Sequence, residues 1–240
     1  KNTNGHAVNY ILRSFQGVKQ RSGKIFKGIL IAMSFEAMFF DLDDTLYPST
    51  TGIWQAIGDR MDTYITHQLG IAPEKVKSLR ESLFHEYGTT LRGLSSLYGI
   101  NEEYFLDYVH DVPLDRYLQR DDALIETMSM YPERKLIFTN ASRKHAERVL
   151  SILGLEGVFD DIIDILQITP YCKPLPEAYQ NAIKLSCIEN PGNCVVIDDS
   201  ERNLKTASEM GFFTIQVGTE IRSPYADAAI VTVSDLPDVI

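Results

Sequence analysis

The chain has 240 residues, 44% of them hydrophobic, and 33 acidic against 23 basic side chains give it a formal net charge of −10. That length holds one large domain or a core with an insertion, and the balance excludes a disordered or fibrous chain. Six of the Lys and Arg and none of the acids fall in residues 1–35, so residues 36–240 carry −16, a surface that disfavours binding to nucleic-acid polymers.

Taken in chain order, the basic segment comes first: Lys1, Arg13, Lys19, Arg21, Lys24 and Lys27, with no acid among residues 1–35. It reads as a transit peptide, as a non-native extension with Met33 as the natural start, or as a structured N-terminal helix. No stretch approaches the roughly 18 apolar residues of a membrane span. Cys172, Cys187 and Cys194 show no CxxC spacing and read as reduced, mostly buried thiols. The expected location is the cytoplasm, with organelle import if residues 1–35 are a transit peptide.

Ala37–Phe40 is a short apolar run that predicts a buried strand, and it delivers Asp41 and Asp43, then Thr45 and the turn-marking Pro48. At the carboxyl end of a parallel strand, two acids so close together need a cation or a shared proton. From Thr45 to about Asp121 only helical patterns follow. They are Ile53–Leu69, Pro73–Tyr87, Thr90–Tyr98 and Glu102–Val109, separated by Gly70, Gly88 and Gly99, and they read as an inserted helical cap. Strands then alternate with helices. The strands are Lys135–Thr139, Ile162–Leu166, Cys194–Ile197, Phe213–Val217 and Ile230–Val233; the helices are Lys144–Leu153, Pro176–Leu185 and Arg202–Gly211.

The expectation is an α/β fold: a Rossmann-like, doubly wound parallel sheet with an all-helical cap inserted after the first strand. The expected division is an N-terminal extension (1–35), a catalytic core (36–48 and 116–240) and the cap (49–115). Every strand of a parallel sheet points the same way, so the residues after the strands meet at one edge. These are Asp41 and Asp43, then Thr139 and Asn140, then Lys173, then Asp198, Asp199, Ser200 and Asn203. Acids for a cation, a hydroxyl and an amide for phosphate oxygens, and a lysine for charge are the parts that phosphoryl transfer needs. Among the other side chains, Ser200 reads as a helix N-cap, Tyr47 and Trp54 as aromatics of the cap core, and His145 as a solvated residue at a helix start.

The four segments resemble motifs I to IV of the haloacid-dehalogenase-like hydrolase superfamily: DLDDT at 41–45, FTN at 138–140, Lys173, and IDDSERN at 197–203. Tyr87-Gly88-Thr89-Thr90-Leu91-Arg92-Gly93-Leu94, with PEAYQNAIKL at 176–185, resembles the pyrimidine 5'-nucleotidase subgroup, which carries a helical cap in this place. The resemblance implies Asp41 as nucleophile, forming an aspartyl-phosphate, and Asp43 as the acid and base, its pKa raised by like-charged neighbours. It implies Mg2+ held by Asp41, the Asp43 main chain and Asp199, with Asp198 bound directly or through water. Thr139 and Asn140 would hold a phosphate oxygen, Lys173 would neutralise charge, and Arg92 and Thr90 would contact substrate. The implied partner is a small phosphorylated metabolite, a nucleoside monophosphate, handled by a monomer or homodimer. The alternatives are a phosphatase of sugar phosphates or other metabolites, a sugar phosphomutase, a haloacid dehalogenase, and a non-enzymatic binding protein.

Overall fold

The computed structural model describes residues 35–240; the expectations for residues 1–34 lie outside them. Six strands form one sheet: β1 (Ala37–Phe40), β2 (Arg134–Phe138), β3 (Asp161–Ile163), β4 (Cys194–Asp198), β5 (Phe213–Val217) and β6 (Ala228–Ile230). They lie in the order β3-β2-β1-β4-β5-β6, and every neighbouring pair is parallel. From β1 the chain winds outward through β2 to β3, then crosses back to β4 and winds the other way. The reversal point of the doubly wound sheet therefore lies between β1 and β4, where open α/β sheets have their ligand crevice.

Side-chain alternation builds the two faces of the sheet. Met38 and Phe40 of β1 join one apolar cluster, and Ala37 and Phe39 join the other. All four are buried, as the run of apolar residues requires of a strand covered on both sides. The first face is covered by α5 (Asp122–Met130) through Leu124 and Met128 and by α6 (Arg143–Leu153) through Ala146, Val149 and Leu150. The second is covered by α7 (Pro176–Leu185) through Ala178 and Tyr179 and by α8 (Glu201–Glu209) through Leu204 and Ala207.

Between β1 and β2 the chain first makes four helices: α1 (Ile53–Leu69), α2 (Pro73–Tyr87), α3 (Thr90–Tyr98) and α4 (Glu102–His110). Glycines with positive φ stop the first and third, Gly70 at +68° and Gly99 at +61°, where a residue with a Cβ would be strained. Buried residues on one stripe of each helix hold the group together, among them Ile57 and Ile65 of α1, Leu83 of α2, Leu94 of α3 and Phe105 of α4. Tyr64 meets Phe105 edge to face at 4.9 Å between ring centroids, a favoured aromatic geometry. Gly93 lets α3 approach α2 closely, since a Cβ there would come within 2.6 Å of Leu83.

The two edge strands, each with one partner, differ from the runs that predict them. β3 covers only Asp161–Ile163, and β6 covers Ala228–Ile230 and meets its predicted run Ile230–Val233 at Ile230 alone, with Val231 beyond it 49% exposed. The helix Asp122–Met130, unassigned in the sequence reading, is capped by Asp121, whose side chain accepts from the Leu124 N–H. No helix among the described residues is long and apolar enough to cross a membrane.

Candidate active site

The site assembles at the carboxyl edge of the central strands. Asp41 is the first residue past β1, still tied to the sheet by its N–H to the Ile197 carbonyl at 2.9 Å. The chain then reverses, with the Leu46 N–H donating to the Leu42 carbonyl and Asp44 at a positive φ of 60°, a conformation that Asp tolerates. Leu42 and Leu46 turn into the core, which leaves Asp41, Asp43 and Asp44 lining a cavity of about 570 Å³. The turn is tied to β4 by Thr45, whose hydroxyl lies 3.5 Å from Asp41 Oδ2 and 3.3 Å from Asp199 Oδ1 and accepts from the Asp199 N–H at 3.1 Å.

Asp41, Asp198 and Asp199 bring carboxylate oxygens within 4.8 Å of one another. Among the described residues one cation faces them. Lys173, buried, donates from Nζ to Asp41 Oδ1 at 2.8 Å and to Asp198 Oδ2 at 2.7 Å. Its backbone is fixed by Asn140, whose side-chain amide donates to the Lys173 carbonyl and accepts from the Lys173 N–H, both at 2.9 Å. The Lys173 contact to Asp198 is one of several: the Asn203 amide reaches both Asp198 oxygens at 3.0 Å, and the Ser200 N–H reaches Oδ1 at 2.9 Å. Asp198 is thus filled with protein donors, whereas among the described residues Asp199 accepts only from Thr45. Thr139 is buried, with its oxygen accepting from the Ala141 N–H at 2.9 Å and its proton left to donate elsewhere.

Three carboxylates against one ammonium leave the site short of positive charge. Burial, and then the charges of Asp198 and Asp199, raise Asp41 well above the ordinary carboxylate range in spite of Lys173. Burial and Asp198 push Asp199 up to about 6. Lys173 is held charged: burial works against its proton, but Asp198 and Asp41 outweigh it and raise its pKa. Oxygen donors crowded in this way suit a hard divalent cation such as Mg2+.

Asp43 differs from the expectation. Burial favours its neutral form, but His145 and the Tyr47 hydroxyl overcome it and hold the pKa down to about 2. Its neighbours are a histidine and a phenol rather than bare carboxylates. His145 is buried, not solvated, and its Nε2 lies 2.9 Å from Asp43 Oδ1; Tyr47 donates to the same oxygen. His110, the last residue of α4, stacks on His145 with centroids 4.3 Å apart and an interplanar angle of 21°. Burial and the neighbouring His145 push His110 down to about 3, so its imidazole is neutral.

The cap supplies the far wall of the cavity through Trp54, Met61, Phe84, Phe105 and Thr90. Trp54 is 50% exposed, so it faces the cavity rather than the core of the cap. Arg92 is not brought to the site. It is buried, and its guanidinium donates to the carbonyls of Tyr171 and Ile165, to Thr169 Oγ1 and to Glu102 Oε2 at 2.5 Å. A fixed fork of donors matches that set of acceptors, and it ties the cap to the loop leading into Lys173. Ser200 takes the N-cap position of α8 without a side-chain cap bond.

Comparison with known proteins gives the family and the fold. The family model for haloacid dehalogenase-like hydrolases matches residues 35–211. Phosphate metabolism protein 8 of Saccharomyces cerevisiae is 30% identical over 190 residues, 73% of this chain, which spans 59% of that relative's length. Among solved structures, a HAD phosphatase from Thermococcus onnurineus aligns with a TM-score of 0.59 at 19% identity, over 85% of this chain and 97% of its own. L-2-haloacid dehalogenase from Xanthobacter autotrophicus aligns at 0.54 and 16% identity, over 85% and 98%. These structures share the fold.

Proposed function

The chain belongs to the haloacid dehalogenase-like hydrolase family, and from that premise we propose that it is a Mg2+-dependent phosphomonoester hydrolase that works through an aspartyl-phosphate on Asp41 and prefers pyrimidine nucleoside 5'-monophosphates. One observation carries the reading: Asp41, Asp198 and Asp199 crowd within 4.8 Å around a single buried lysine. A dehalogenase would need Asp41 without that acidic pair.

Asp41 attacks phosphorus and the ester P–O bond breaks, the leaving oxygen taking a proton from the Asp43 carboxyl. Water then gives a proton to the Asp43 carboxylate and attacks phosphorus, breaking the bond to Asp41 and releasing inorganic phosphate. In the free site Asp43 is ionised, the form needed for the second step. The negative charge of an entering phosphate works toward the protonated form needed for the first. Thr139 and the Asn140 backbone bind a phosphoryl oxygen, and Lys173, held by Asn140, works toward the ionised form of Asp41 against burial and the neighbouring acids and offsets charge on the transferring group. The Asp41 carboxylate, the Asp43 main-chain oxygen and the Asp199 carboxylate would hold Mg2+, which when bound supplies positive charge to the phosphoryl oxygens. Asp198, its oxygens occupied, orients Lys173.

The cavity supports a leaving group of nucleoside size. About 570 Å³ lies between the acids and the cap, within the usual range for small-molecule sites, and Trp54 and Phe84, both exposed, offer rings to a planar base. Phosphate release from a panel of 5'-nucleotides and sugar phosphates, with Mg2+ or with EDTA, tests the reading. The expected result is fastest release from UMP and CMP and a loss of at least about 100-fold in EDTA. Release from sugar phosphates alone would discard the nucleotide preference; release unaffected by EDTA would overturn the metal requirement.

A further inference from the structure

We propose that His145 is a positioning residue for proton transfer, with Tyr47: together they hold Oδ1 of Asp43 so that Oδ2 is the oxygen that exchanges a proton with the substrate. The inference rests on the phosphatase reading above and goes beyond it by assigning work to residues outside the four motifs. Both donors converge on one oxygen, Tyr47 through its hydroxyl and His145 through Nε2 at 2.9 Å. A carboxylate only accepts, so Nε2 carries the hydrogen. Oδ2 takes no bond from any described residue, and Asp43 lines the cavity.

Two further features separate this role from space filling. The Nδ1 of His145 is buried without a partner among the described residues. An apolar side chain would avoid that loss, so the ring is explained by the bond that Nε2 makes. The ring is also held in place from both parts of the molecule. Ser142, the N-cap of α6, accepts from the His145 N–H at 3.3 Å, and its oxygen lies 3.2 Å from His110 Nδ1. Arg148, one turn further along α6, donates to the His110 and Val112 carbonyls, both at 2.7 Å. The end of the cap is thereby fixed against His145, and the stacked His110 limits the tilt of the imidazole. A proton-transferring group held this way is pre-organised by supporting residues rather than left to find its geometry during reaction.

The test compares kcat/KM, which reports steps up to phosphoryl transfer, for an alkyl phosphate monoester and for p-nitrophenyl phosphate, whose leaving group departs as a stable anion and needs no proton. In His145→Leu, kcat/KM is expected to fall about 100-fold on the alkyl ester and less than about fivefold on p-nitrophenyl phosphate, following the usual contribution of general-acid catalysis. Asp43→Asn should show the same pattern. His145→Gln, whose amide can donate to Oδ1, should recover at least about tenfold of the alkyl-ester rate. Tyr47→Phe removes the other donor and gives the same selectivity should His145→Leu fail to fold. Equal falls on both esters, or no fall in either variant, would overturn the proposal while the unaltered protein's activity upheld the phosphatase reading. No release by the unaltered protein would overturn both.

Discussion

Replacing Asp41 by Asn is expected to lower kcat by at least about ten thousand-fold while leaving the melting temperature unchanged or raised. The two effects separate because the residue is costly to the fold and essential to the reaction. Asp41 is buried beside Asp198 and Asp199, and burial and repulsion raise its pKa well above normal. The amide removes one charge from that cluster, keeps an oxygen for Lys173, and cannot form an acyl phosphate. Lys173 retains Asp198 as its partner at 2.7 Å. Residual turnover within about tenfold of the parent would show that another group attacks phosphorus. A melting temperature lowered by many degrees would show that the Asp41 carboxylate stabilises the fold, against the direction of its shift.

Lys173→Met should do the opposite to stability, destabilising by about 3–5 kcal/mol because it leaves buried carboxylates without their cation. For a chain of this size that is roughly 2–4 °C per kcal/mol, and activity should be lost as well. Lys173→Arg should not rescue, since Nζ sits buried at 2.7 and 2.8 Å from two carboxylates and the larger planar fork does not fit a point-charge site. Mg2+ should restore part of the lost stability, because a cation held by Asp41 and Asp199 takes over some of the neutralisation. Thermal unfolding of the variant with and without Mg2+ reads both effects. A variant as stable as the parent would mean that Lys173 is not what balances the acids.

The sheet edge was legible in the sequence because it is built from local signals. Each apolar run that fits a buried strand is followed within a few residues by side chains with phosphate or metal chemistry, and parallel winding brings them together. Pro and Gly marked helix ends well enough that Ile53–Leu69, Pro73–Tyr87 and Thr90–Tyr98 appear with those bounds. What pattern reading missed depends on contacts between distant segments. His145 and Asp43 stand 102 residues apart, and the basic Arg143-Lys144 start of α6 suggested solvent. A signal was present: His145, Val149 and Leu153 fall at i, i+4 and i+8, all buried, so the histidine lies on the apolar stripe of its helix. Arg92 misled in a similar way. Flanked by Leu91 and Leu94 on a buried face, it lay where a guanidinium meets backbone carbonyls rather than substrate. Asn140 was placed correctly at the strand end, but its two-way bond to the Lys173 backbone spans 33 residues and no local pattern announces it.

The most direct measurement is the mass of the peptide containing Asp41 after the protein, turning over a phosphate monoester with Mg2+, is quenched in acid. A covalently phosphorylated Asp41 in the unaltered protein, absent from Asp41→Asn and from the sample without substrate, is the expected result. Steady phosphate release with that peptide unmodified, and retained in Asp41→Asn, would contradict nucleophilic attack by Asp41 and remove the basis for the roles given to Lys173, Asp43 and His145.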